Sequence, residues 1–354
     1  MGTRPTLQSL ASTLGVSRQT ISNVLNNPQV VQASTRDRVL AEIRASGYRP
    51  SAAARSLRSR RSQAIGLRIR PAVDGINGSL MDAFLHAVVE CSQRRDHRLL
   101  LITATSDEQE STEQTALHTT GAIDACVLTD THRDDDRPSA LLDAGIPFVA
   151  FGRPWQERPA GHSWVDIDGA AGTRLATEHL LELGHRRIAF LGWPEGSGVG
   201  DDRRAGWRHA MADAGVPAED LALGVLDQRT DDGVVEGTQA MERARRVGAT
   251  AAVCASDSLA VGASTVLRRA TSAETARTAV VGFDDTPVAA ALGLSSVRQP
   301  VADAASRVID LLIDRLTAPA ASDADPRTAH PVHDLLTPAL VLREFDRRLD
   351  QHAS

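Results

Sequence analysis

The sequence predicts an α/β protein carrying a small all-helical head, and three observations support this. The first sixty residues hold amphipathic helical stretches separated by glycine turns, with no alternating strand pattern. From Ala64 onward, short β-rich runs alternate with helical segments, the mark of a parallel sheet. That alternation comes in two successive sets, so the body of this 354-residue, 42% apolar chain divides into two units.

In the head, Thr6 precedes Leu7, Leu10, Ala11 and Leu14, apolar at i, i+3, i+4 and i+7. This spacing predicts a two-turn helix capped by Thr6 and stopped by Gly15. Ser17 caps a second helix whose Ile21, Val24 and Leu25, with Val16 before it, face inward while Arg18, Gln19, Ser22 and Asn23 face out. A third helix is expected from Ser34, with Asp37 as a capping-box acid, Val39, Leu40 and Ile43 as its buried stripe and Gly47 as its stop. Two helices joined by a tight turn and buttressed by a third form the helix-turn-helix arrangement. Its second helix enters the major groove of DNA, where Arg reads guanine and Gln or Asn reads adenine. Ser22 suits a phosphate contact.

Residues 47–62, GYRPSAAARSLRSRRS, place Pro50 at a turn and Ser51 as a cap before one short helix, Ala52 to Leu57, among Arg55, Arg58, Arg60 and Arg61. At under three turns it needs a partner to persist. Ten Arg against Asp37 and Glu42 give residues 1–62 a net charge of +8, whereas the whole chain carries −6. A basic head on an acidic body is expected where one unit meets a polyanion.

The body's first set reads AIGLRI, the helix SLMDAFLHAVVECSQRR, RLLLIT, a helix near 108–119, DACVLT, a helix near 137–144 and PFVAFG. A second set starts at WVDID and runs through GTRLATEHLLELG, RRIAFLG, DDRRAGWRHAMADAG, ALGVLD, a helix near 233–246, AAVCAS, SLAVGASTVLRRA and AVVGFD. Ligands at the strand C-termini of two such units would face each other across a cleft.

Enzyme signatures fail one by one. GWPEGSGVG, residues 192–200, lacks both the G-K-[ST] ending and the G-x-G-x-x-G order of phosphate loops and reads as a cleft loop. DTHRDDD, residues 130–136, reads as a solvated turn, because no second ligand cluster stands at metal spacing. No G-x-S-x-G elbow occurs, and Asp257 reads as the cap of the helix that begins SLAVGA. Neither a catalytic residue nor a metal or other cofactor is expected. Cys91, Cys126 and Cys254 each sit in an apolar run and read as core filler. No stretch approaches the ~18 apolar residues of a membrane span, and MGTRPTLQSL lacks a signal-peptide core, so no membrane partner and a cytoplasmic location are expected.

The chain closely resembles the LacI/GalR family of bacterial repressors. TLQSLASTLGVSRQTISNVLN, STRDRVLAEIRASGYRP, AAARSLRSRRSQAIGL, GTRLATEHLLELGHRRIAFLGWP, ASDSLAVGA, VVGFDDTP and SSVRQPV follow the family's order over nearly the whole chain. The resemblance implies a periplasmic-binding-protein-like body behind the helix-turn-helix head. The expected organisation is a head over 1–49, a hinge helix and linker over 50–62, and an effector-binding and dimerisation body over 63–354. One lobe would span about 63–165 and 298–325 and the other about 166–297 and 326–345, with crossings near 164–168, near 297 and after 325.

The resemblance implies DNA contacts by Thr6, Ser17, Arg18, Gln19, Thr20, Ser22, Asn23, Asn26, Tyr48, Ala54 and Arg58, with Leu57 as a minor-groove wedge. Asn23 stands where many members have Arg, which leaves the preferred bases open. It implies effector contacts by Arg203 and Asp284, a forked donor and a charged acceptor that suit vicinal hydroxyls. The same two residues could instead form a mutual ion pair. Thr129, Gly152, Arg153 and Ser256 lie at further cleft positions, Ser256 where relatives commonly have Asn. Asn77 and Ser79 replace an aromatic pair that follows the first strand in sugar-binding members, leaving Trp155 and Trp193 to offer a stacking face. The expected function is a dimeric regulator, a repressor of carbohydrate-utilisation genes, acting on a roughly palindromic operator under a small-molecule effector, expected to be a sugar. The alternatives are a non-sugar effector such as a nucleobase, or a ligand-binding protein with no DNA role. The tail EFDRRLDQHAS has no leucine heptads for a tetramerising coiled coil.

Overall fold

The computed structural model describes residues 5–48, 61–70, 76, 78–156, 160–269, 278–318 and 330–343. The chain divides into two units, Met1–Arg61 and Ser62–Ser354.

In the first unit, α1 (Leu7–Leu14) begins at Thr6, whose side chain accepts from Ser9 N–H while Ser9 returns a bond to the Thr6 backbone. Gly15, in the left-handed region at φ 65°, turns the chain into α2 (Arg18–Asn26), capped by the Ser17 hydroxyl on Thr20 N–H. The third helix, α3 (Ala33–Ser46), closes the set and stops at Gly47. Its expected capping box is not formed: the helix starts one residue earlier than predicted, after Gln32, without a side-chain cap. Leu10, Ala11, Ile21, Val24, Val39 and Tyr48 fill the small core, flanked by partly buried Val16 and Leu25.

In the second unit, β1 (Ala64–Ile69), β2 (Arg98–Thr103), β3 (Ala125–Leu128), β4 (Phe148–Phe151), β5 (Trp164–Ile167) and the late β11 (His333–Leu336) form one sheet in the order β11-β5-β4-β3-β1-β2. Every pairing in it is parallel. A second sheet runs β12-β10-β9-β8-β6-β7, from β6 (Ile188–Gly192), β7 (Asp227–Arg229), β8 (Ala251–Cys254), β9 (Ala279–Phe283), β10 (Ser295–Arg298) and β12 (Ala339–Val341). Only β12 is antiparallel there, against β10. The central strands are buried end to end, as sheets covered on both faces require.

Around the first sheet lie α4 (Gly78–Arg94), α5 (Asp107–Thr119), α6 (Arg137–Asp143) and, from the far end of the chain, α12 (Val301–Thr317), whose Val308, Ile309 and Leu312 pack with Ile65, Phe84 and Val127. Helices α7 (Gly169–Glu182), α8 (Gly198–Asp213), α9 (Val234–Arg246), α10 (Asp257–Arg269) and α11 (Pro287–Ala291) accompany the second. Its core holds Trp207, Met211 and Phe190, with the Trp207 indole donating to Ile188 O at 3.0 Å. Cys91, Cys126 and Cys254 are free and buried, as core filler should be.

Three expectations are corrected. WVDID closes the first sheet rather than opening the second, because β5 pairs with β4 and β11. Residues after 325 do not simply join the second lobe: β11 adds to the first sheet and β12 to the second, placing the last crossing at 337–338. ALGVLD is not a strand over its length, and β7 starts only at its last residue, Asp227.

Candidate functional site

On the head, α2 divides as its pattern requires. Ile21 is fully buried and Val24 nearly so, whereas Arg18 and Gln19 are exposed and Thr20, Ser22 and Asn23 half-buried. Gln19 Nε2 donates to Asn23 Oδ1 at 2.9 Å, so two amide-bearing side chains are pre-arranged as one surface. Thr6 and Ser17 are exposed but already serve as caps. Tyr48 belongs to the core rather than to that face: it is buried, and burial raises its phenol pKa. Ala54, Leu57 and Arg58, with the hinge helix, and the side chain of Asn26 lie outside the described residues.

In the body, the two sheets share one strand order, β2-β1-β3-β4-β5 and β7-β6-β8-β9-β10. Open α/β sheets bind ligands outside their strand C-termini. A cavity of about 150 Å³ lies there, lined by Asp130 and Thr131 after β3, Gly152 after β4, Asp166 and Ile167 of β5, Gly169 opening α7, Val199, Asp202 and Arg203 of α8, and Gln299 after β10. Leu80, Met81, Phe151 and Trp155 complete its apolar wall. Gly152 sits at φ 118°, and a Cβ there would fall 2.4 Å from Thr131 Oγ1, so no larger residue fits.

Arg203 enters from α8 and is 5% exposed. Its guanidinium carbon lies 3.7 Å from the Phe283 ring centroid, and Nη1 donates to Ala255 O at 2.5 Å and sits 3.7 Å from Asp284 Oδ1. Asp284 follows β9 at φ 109°, a costly conformation for a residue with a Cβ, which directs it toward Arg203 while Asp285 pairs with Arg298 and Arg343. Gln299 Nε2 donates to Asp284 Oδ1 at 2.6 Å. Burial pushes the Asp284 carboxyl up to about 7 against the pull of Arg203, and burial lowers Arg203. The mutual ion pair is therefore formed, and Arg203 Nε remains buried without a hydrogen-bond partner.

Arg153 joins the two lobes. Its guanidinium meets Asp166 of its own sheet and Asp202 of α8, each at 2.8 Å, and its carbon lies 4.7 Å from the Trp155 ring centroid. Asp202 also accepts Ala170 N–H at 3.0 Å. On the second-lobe side, Trp155 presses on the start of α8: a Cβ on Gly198 would lie 2.2 Å from its Cγ. GWPEGSGVG runs from the end of β6 through a loop and turn at 193–197 into the first residues of α8, where the Ser197 hydroxyl caps Gly200 N–H at 3.2 Å.

Of the predicted effector residues, Gly152, Trp155 and Arg203 line the cavity, while Arg153 and Asp284 stand one contact behind it. Thr129 is buried at the end of β3 and yields the wall to Asp130 and Thr131. Ser256 is fully buried, donates to Asp232 Oδ1 at 2.5 Å and accepts Leu259 N–H, so it caps α10 in place of the predicted Asp257. Asp257 instead accepts from Thr286 N–H and Ser296 Oγ, both at 2.6 Å. Trp193 stands behind Arg203, its ring centroid 5.3 Å from the guanidinium carbon. Asn77 lies outside the described residues. Asp166, Asp202 and Gln299 were missed, although DDRR set an acid beside Arg203 and VRQP closed a recognised motif.

DTHRDDD is not a merely solvated turn. His132 Nε2 meets Asp107 Oδ2 at 2.6 Å, and Asp135 clamps Arg137, which with Arg68 also reaches fully buried Glu110. Asp107, His132 and Asp135 present ligand atoms within 4.8 Å of one another, but these groups are engaged in that ion-pair network. No helix among the described residues is long and apolar enough to cross a membrane.

Residues 6–51 match the model of bacterial regulatory proteins of the lacI family, and residues 177–344 match the periplasmic binding protein-like domain. The regulator CelR of Thermobifida fusca is 34% identical over 349 residues, covering 96% of this chain and 98% of that protein. RafR of Escherichia coli is 39% identical over 59% of this chain and 62% of its own. Among solved structures, a CelR–cellobiose complex matches at TM-score 0.67 and 31% identity over 96% of this chain and 99% of its own. A lac repressor dimer bound to operator and the anti-inducer ONPF matches at TM-score 0.78 and 22% identity over 97% and 99%, a likeness of fold.

Proposed function

The chain belongs to the lacI family of bacterial regulatory proteins and is a DNA-binding transcriptional regulator, not an enzyme; from that premise we propose that it represses carbohydrate-utilisation genes under the control of a sugar held between its lobes. It acts as a homodimer in the cytoplasm, each subunit placing α2 in one half-site of a roughly palindromic operator. Arg18, Gln19 and Asn23 read bases and Ser22 holds a phosphate.

The observation that supports the effector reading most is the composition of the cleft. Trp155 offers an apolar face, and Arg203 with Gln299 and the carboxylates offers paired donors and acceptors, the set that vicinal hydroxyls use. CelR, whose solved complex contains cellobiose, makes a disaccharide the first ligand to test. At about 150 Å³ the cavity is smaller than that ligand requires, since pockets for such ligands start near ~300 Å³. Binding must therefore move the lobes, and a ligand that binds the two lobe arrangements unequally shifts operator affinity. Either induction or corepression satisfies that requirement.

The test is fluorescence anisotropy on palindromic fragments from the region upstream of neighbouring genes, with and without cellobiose and other oligosaccharides. Salt-sensitive binding that an oligosaccharide changes at least tenfold is expected. Binding indifferent to every saccharide, with a nucleobase altering it instead, would overturn the sugar reading.

A further inference from the structure

We propose that Asp166 and Asp202 set the charge class of the effector: by occupying Arg153 from both lobes and lining the cavity themselves, they restrict it to uncharged polyhydroxylated ligands and reject phosphate esters of the same sugars. The proposal rests on the reading that this cleft holds a sugar.

Among the described residues that line the cavity, the charged ones are Asp130, Asp166, Asp202 and Arg203. Arg153 is not in the wall, whereas both of its carboxylate partners are. Arg203 is balanced by Asp284 and donates to Ala255 O. A phosphate monoester brings a charge of about −1.5 to −2 and three oxygens that only accept. It needs a free guanidinium fork or a cluster of backbone N–H groups. Here it meets carboxylates whose cations are already engaged.

The balance of charge in the cleft supports this. Burial raises both Asp166 and Asp202 above the usual carboxylate value even though Arg153, 2.8 Å from each, pulls the other way. The polar atoms left over are mixed in kind. Arg203 Nε and Trp155 Nε1 are buried donors with no partner, and the carboxylates are acceptors. A sugar hydroxyl, which donates and accepts at once, satisfies both kinds; a phosphate oxygen satisfies only the donors.

The experiment measures calorimetric binding of the full chain to cellobiose, trehalose and glucose and to their 6-phosphate monoesters, on the parent, Asp202→Asn and Asp166→Asn. In the parent, a neutral sugar should bind at least tenfold tighter than its own ester. In Asp202→Asn the ester should gain at least tenfold relative to the neutral sugar, as the wall loses a negative charge and Arg153 one of its two carboxylate partners, and Asp166→Asn should move the ratio the same way. Ligand-free melting curves identify any variant that fails to fold, and the other variant then carries the test. An ester that binds the parent as tightly as its neutral sugar overturns this proposal and leaves the sugar reading standing. A ratio unmoved in folded variants also overturns it. Binding of none of the six compounds overturns the sugar reading, and this proposal with it.

Discussion

Replacing Arg203 by Met tests the buried pair on which the cleft is built. Met keeps an apolar stem over Phe283, 3.7 Å from the present guanidinium carbon, but removes the charge 3.7 Å from Asp284. Asp284 would then be a buried carboxyl that keeps the hydrogen bond from Gln299 Nε2 but has lost its cation. Breaking a buried ion pair by removing one member costs about 3–5 kcal/mol. At roughly 2–4 °C per kcal/mol for units of this size, the melting temperature should fall by about 10 °C at pH 8.

The sign of the pH dependence follows from Asp284. Its folded pKa, about 7, lies above the unfolded value of 3.8, so its contribution is most favourable below 3.8 and is lost as pH rises through 7. Without Arg203 the folded pKa rises further, and protonation relieves the orphaned charge at pH 6 but not at pH 8. The loss in Arg203→Met should therefore be smaller at pH 6, and Arg203→Met with Asp284→Asn should recover most of it at pH 8. Scanning fluorimetry of the parent, the single variant and the double variant at both pH values measures this. A melting temperature within 2 °C of the parent at pH 8, or an equal loss at both pH values, would refute the reasoning.

Ile21 is fully buried in the head, so Ile21→Ala should cost about 2–5 kcal/mol and abolish operator binding by unfolding the head. Arg18→Ala, at an exposed position, should instead weaken binding by about 1–3 kcal/mol with helix content unchanged, as circular dichroism beside anisotropy will show. Gly206→Ala should prevent the body from folding, since its Cβ would lie 1.9 Å from Ala170 O where α8 crosses α7; soluble yield and proteolysis report it. Burial and the neighbouring His333 lower His162 to about 4, so the folded state favours its neutral form and stability falls as pH drops from 6.5 toward 4. That loss is roughly 3 kcal/mol, and His162→Phe should flatten the melting curve between pH 7.5 and 5.

Local rules settled much of this protein. Thr6, Gly15 and Ser17 act at the positions their chemistry predicts, because a cap or a left-handed turn involves only neighbours within four residues. The division of α2 into a buried and an exposed face follows from helical period alone, as does the alternation of strands and helices in the body. Arg203 and Asp284 were singled out by resemblance to the family and not by local rules; Arg203 lines the cavity and Asp284 stands behind it.

What local rules left open was pairing at long range. WVDID looked like the start of a second unit because strand order is set by hydrogen-bonding neighbours, and β11, more than 160 residues later, is one of them. Ser256 and Asp257 are adjacent acceptors at a helix start, and only Thr286 and Ser296, brought in by later strands, draw Asp257 away from the cap. Arg153 gave no sign in sequence that it would be shared between Asp166 and Asp202. Sequence period and turn chemistry thus determined which elements form and which faces they bury, since those energies are local. Tertiary structure decided which charges meet and which residues line the cleft, since a buried ion depends on every neighbour packed around it, however distant in the chain.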